Sequence, residues 1–148
     1  MSSNLKTKIK FYFNQNWYDE TIPDEVRERY EDEFESIIKE YKWSNVYPIL
    51  KDILINDCND EASIVNWCHH FWDYALIYEY KVPNPEMLVA YLYSKVDIVN
   101  NSDAFDILDT IAISVLPINL MDTPCYAANA DPKILNLIED LKSGKIQF

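Results

Sequence analysis

The chain has 148 residues, 25 of them acidic and 13 basic, for a formal net charge of −12, a balance that opposes binding to nucleic acid or to an anionic membrane. Hydrophobic residues make up 49% and aromatics 14%, too many for a disordered chain. The one glycine, Gly144, argues against an antiparallel β fold, whose tight hairpins need glycine at positive φ.

Residues 1 to 20 begin polar and turn aromatic. Ile9, Phe11 and Phe13 alternate with Lys8, Lys10 and Tyr12, a period of two that suits a short strand or an extended arm. Trp17 and Tyr18 then anchor the next segment. The first clear helix is expected from about residue 23 to 43, with Thr21 or Asp24 as cap and Pro23 in its first turn. Val26, Tyr30, Phe34, Ile37, Ile38 and Tyr41 fall in one arc and form its core face. A shorter helix is expected over 46–55, burying Ile49, Leu50, Ile53 and Leu54. Asp60 opens a third, running to about residue 80, whose apolar residues from Ile64 to Tyr78 wrap most of the circumference and mark it as central. Pro83 and Pro85 separate it from a fourth helix over 86–96. Ser102 caps a fifth, over 103–116. Pro117 and Pro124 mark a loop. Asp131 caps the last helix, with Pro132 at its first position and Gly144 just past its end. No repeat and no linker divides the chain. The expected architecture is all-α, a single helical domain over 1–148 built as a compact bundle of about six helices, with room for a short extended N-terminal segment.

Acidic residues crowd the first long helix. Ten lie between Asp19 and Glu40, opposed by Arg27, Arg29 and Lys39. On the helical wheel Asp24, Glu28, Glu31 and Glu35 form a ridge opposite the apolar arc, flanked by Asp32. The helix dipole accounts for Asp24 and Glu25 near the N-terminus. It does not reach Glu31, Asp32 or Glu35, and like charges four apart cost roughly 0.2–0.5 kcal/mol per pair. A ridge that stability alone would not select is a candidate partner-binding face, with Trp17, Tyr18 and Trp43 as aromatic anchors beside it. A second acidic face is drawn by Asp103, Asp106 and Asp109, opposite Ala104, Ile107, Leu108, Ile111 and Val115.

Chemistry is sparse. Cys68, His69, His70 and Asp73 make the one cluster resembling a site. It has no second group to complete a metal centre, and Cys68 and His69, adjacent on a helix, point about 100° apart. A His–Asp hydrogen bond within an aromatic helix is the preferred reading. One glycine cannot build a phosphate loop or an EF-hand turn. The expectation is therefore a protein that is not an enzyme and has no cofactor and no metal. Three cysteines, Cys58, Cys68 and Cys125, without CxxC spacing fit a reducing compartment. Residues 1 to 13 show no secretory signal, and the expected location is the cytoplasm.

In size, net acidity, the crowded carboxylates of positions 24 to 35 and abundant Tyr and Trp, the chain resembles the small immunity proteins that neutralise bacterial toxins, including those of contact-dependent growth inhibition systems. The resemblance implies a basic partner, a cognate toxin nuclease whose substrate cleft the acidic surface would cap. Two further readings stand beside it. One is a nucleic-acid mimic that blocks a DNA-binding enzyme. The other is a helical adaptor or scaffold whose acidity serves solubility.

Overall fold

The computed structural model describes residues 2–16, 19–97, 100–116 and 132–148, and every regular element among them is helical. The helices are α1 (Ser2–Phe13), α2 (Asp24–Tyr41), α3 (Trp43–Asp52), α4 (Glu61–Asp73), the single turn α5 (Leu76–Glu79), α6 (Pro85–Lys95), α7 (Ser102–Val115) and α8 (Pro132–Lys142). They gather into two compact units, Met1–Tyr80 and Lys81–Phe148. Among the described residues no helix is long and apolar enough to cross a membrane. Trp17, Tyr18, the Pro117–Pro124 loop, Cys125 and the Asp131 cap lie outside the described residues.

In the first unit α1 packs on α2, α3 and α4. The extended segment expected near the N-terminus is instead this helix. Leu5, Ile9 and Phe13 are the buried residues, spaced by four, while Phe11 of the apparent alternation stays 49% exposed. Burial of one helical stripe outweighs a period-two pattern. Helix α2 buries Phe34 and Ile38. It stops at Tyr41 because Lys42 turns to φ 76°, so Trp43 begins α3 rather than ending α2. Helix α3 passes into a π-helical turn, Ile53–Asp57, in which the Cys58 N–H reaches back to the Ile53 carbonyl at 3.1 Å. Lys6 and Lys10 of α1 hold the Asp57 carboxylate there at 3.3 and 3.6 Å, and Lys6 also meets Asp52 at 2.9 Å.

Asp60 caps α4 as its sequence position suggests, accepting from the Ser63 N–H at 2.7 Å. The helix expected to run to residue 80 breaks after Asp73, where Ala75 adopts a left-handed conformation (φ 58°) before α5. The anchor is Tyr74, whose hydroxyl donates to the Tyr12 carbonyl at 2.8 Å and whose ring stacks on Phe34 at 5.3 Å. Asn66, His70 and Tyr74 form one stripe along α4 and its end. Asn66 Nδ2 donates to the carbonyls of Phe13 and Gln15 at 3.3 and 3.1 Å, and His70 Nε2–H donates to that of Gln15. Together the three side chains satisfy carbonyls at the C-terminus of α1 that its own helix cannot. Behind the stripe Trp67 stacks on Phe71 at 4.9 Å and donates its Nε1–H to the Leu50 carbonyl at 3.1 Å.

In the second unit α6 packs on α7 and α8. Leu88 and Leu92, Leu108 and Ile111, and Ile134 and Ile138 are among its buried residues. Helix α7 begins at Ser102, capped by Asn101, whose side chain accepts from the Ala104 N–H at 3.2 Å; the cap therefore sits one residue before the expected Ser102. Helix α8 ends in a two-bond C-terminal cap. The Gly144 N–H reaches the Leu141 carbonyl at 3.2 Å, the Lys145 N–H reaches that of Asp140 at 2.9 Å, and Gly144 supplies φ 78°.

Candidate protein-binding site

The α2 ridge has two parts. Asp24, Glu28 and Asp32 are exposed, whereas Glu31 and Glu35 are half-buried. Glu31 is where charge concentrates. Burial pushes its carboxyl above the usual range, and the carboxylates of Asp73, Asp32, Glu79 and Glu35 push it further. Asp73 ends α4 and Glu79 ends α5, so three helices contribute to one acidic cluster. Asp73 is itself raised by burial, against the opposing pull of the Arg27 guanidinium.

Few cations oppose this cluster. Lys39 pairs with Glu35 at 3.1 Å and Arg29 with Glu33 at 3.6 Å, each between residues four apart on α2. Such exposed pairs contribute roughly 0.2–1 kcal/mol each and leave most of the negative charge standing. Arg27 is held elsewhere in part, donating to the Asp19 carbonyl at 2.8 Å.

Aromatic groups border the carboxylates. Trp43 is half-buried, stacked on Tyr80 at 4.9 Å and tilted against Tyr47 and Phe71. Burial, then Glu35 and Glu79, raises the Tyr80 phenol, which places that ring at the edge of the acidic cluster. Trp72, next to Asp73, is 38% exposed although the helical wheel puts it in the core. Asp73, Glu79 and Tyr80 are not legible in the sequence as parts of a binding face, because only the approach of the ends of α4 and α5 to Glu31 and Glu35 of α2 brings them there.

Within the Cys68, His69, His70 and Asp73 group, His70 and Asp73 border one small cavity beside Arg27, whereas Cys68 is turned into the core. Cys68 is fully buried and burial raises its thiol well above the ordinary value, which disfavours the nucleophilic thiolate. Cys58 is raised to about 11 for the same reason. His70 is 3% exposed and bonded to the Gln15 carbonyl. Burial lowers its imidazole to about 4. Among the described residues no group of three or more His, Cys, Asp or Glu side chains is placed to hold a metal ion.

The second acidic face does not hold together. Asp106 is exposed, the Asp103 side chain lies outside the described residues, and Asp109 is 6% exposed. Asp109 Oδ1 accepts from the Tyr93 hydroxyl at 2.5 Å, so this carboxylate turns toward α6 and finds the donor that burial demands. Comparison with protein-family models, with curated proteins and with solved structures found no match.

Proposed function

We propose that the chain acts by binding rather than by catalysis, covering a basic protein partner with the acidic surface centred on Glu31, in the manner of a cytoplasmic immunity protein that neutralises a toxin nuclease. The observation that carries this reading is the gathering of Glu31, Asp32 and Glu35 with Asp73 and Glu79. Folding gains nothing from crowding like charges around a half-buried carboxyl, so a cationic partner is the natural source of compensation. Lys and Arg of a nuclease cleft would meet the carboxylates, and the exposed edges of Trp72 and Tyr80 would supply contacts that slow dissociation.

The test is capture of partners from a lysate of the source cell at low and at high salt, followed by charge reversal at Glu28 and Asp32. Both side chains are exposed, so Glu28→Lys with Asp32→Lys leaves the fold intact. A basic partner should bind the variant at least about tenfold more weakly and with a flatter salt dependence. Equal affinity for the variant would refute the reading and favour a helical adaptor whose acidity serves solubility.

A further inference from the structure

We propose that the groove between α1 and α3 binds a small organic anion with an apolar body, an aryl-alkyl carboxylate being the simplest example. The groove lies within the first unit, is open to solvent, and spans about 860 Å³, a size within the roughly 300–1,000 Å³ typical of ligand sites. Leu5 and Lys8 of α1 line it from one helix, Ser44, Pro48 and Ile49 of α3 from the other, and Tyr41 at the end of α2 lines it as well.

The polar groups set the ligand class. Lys8 Nζ donates to the Tyr41 hydroxyl oxygen at 3.5 Å and sits 5.6 Å from the centre of its ring. With that oxygen accepting, the Tyr41 O–H is left to donate, so an ammonium and a phenol converge where one carboxylate can take both. Lys6 and Lys10 on the same helix are paired with Asp52 and Asp57. Among the described residues Lys8 meets no carboxylate, and it is the one formal charge lining the groove. Helix α1 has no acidic residue, which locally offsets the negative field of the chain. Pro48 and Ile49 offer the apolar body its contact surface, with Leu5 packed behind it. Pro48 lies inside α3 and has no N–H, so the Ser44 carbonyl lacks its regular helical donor.

Amide chemical shifts of the full chain, followed while phenylbutyrate is added to about 10 mM, test this. Saturable shifts should concentrate at Leu5, Lys8, Tyr41, Ser44 and Ile49. The acid should bind more tightly than phenylbutanol, which has the same body without the charge. Lys8→Gln should erase that preference, weakening the acid roughly two- to fivefold and leaving the alcohol unchanged. Ile49→Asp should weaken both. Shifts that do not saturate or lie elsewhere would overturn the proposal, as would equal binding of acid and alcohol to the native protein or an unaltered preference in Lys8→Gln. Neither compound resembles a basic protein, so the outcome is independent of the acidic surface.

Discussion

Burial brings the His70 imidazole from 6.5 down to about 4, and this couples the fold to acid. Between those two values the unfolded chain holds a proton that the folded chain does not, so stability rises with pH through the window. His70 therefore contributes its full share above about 6.5 and loses it as pH falls to about 4, an effect of up to about 3 kcal/mol. Glu31 and Asp73 act in the opposite sense. Their raised carboxyls bind protons more readily in the folded state, which gains stability as pH falls toward the ordinary carboxylate range. His70→Gln keeps a donor for the Gln15 carbonyl and removes the titration. Its melting temperature should fall less between pH 7 and 4 than that of the native chain, and equal slopes would contradict a buried neutral histidine. In the second unit the bond from Tyr93 to Asp109 is a similarly local dependence. Tyr93→Phe takes one donor from a buried carboxylate and should cost roughly 1.5–3 kcal/mol in urea unfolding.

Among the described residues three helix junctions require positive φ from residues other than glycine: Lys42 at 76°, Ala75 at 58° and Asn84 at 47°. Asn tolerates this conformation; Ala and Lys do so at a cost. Ala75→Gly relieves roughly 1 kcal/mol of strain but gives the unfolded chain more freedom, roughly 0.4–1 kcal/mol in the other direction, so a gain of at most about 0.5 kcal/mol is expected. Lys42, with ψ 143°, lies in a region that glycine alone visits freely, and Lys42→Gly should gain about 1 kcal/mol. Thermal unfolding of the two variants measures both. The same junctions show why some elements are legible in the sequence and others are not. The Asp60 cap and the Pro132 and Gly144 signals are local chemistry, and the helix ends they mark lie where sequence places them. The break after Asp73 has no local signal, because Ala75 is the residue most favourable to helix and the partner that holds Tyr74 is 62 residues away. The period-two pattern of Ile9, Phe11 and Phe13 misreads α1 because it passes over Leu5. The carboxylates of α2 can be placed on one ridge by spacing alone. That Asp73 and Glu79 join them, and that Asp109 turns inward, depends on packing between helices.

Across the whole chain a net charge of −12 means self-repulsion, strongest in dilute salt, where the screening length is roughly 30 Å at 0.01 M and 8 Å at 0.15 M. The exposed pairs Lys39–Glu35 and Arg29–Glu33 offset little of it. The melting temperature should therefore rise as sodium chloride is added from about 0.01 to 0.15 M; a fall would mean that attractive pairs outweigh the repulsion. The stripe of Asn66, His70 and Tyr74 on the end of α1 also carries a consequence in time. The carbonyls of Tyr12, Phe13 and Gln15 leave the ribosome 51 to 62 residues before the side chains that satisfy them. At roughly 5–20 residues per second α1 waits several seconds for the groups that fasten its end, and until then water must serve as its cap.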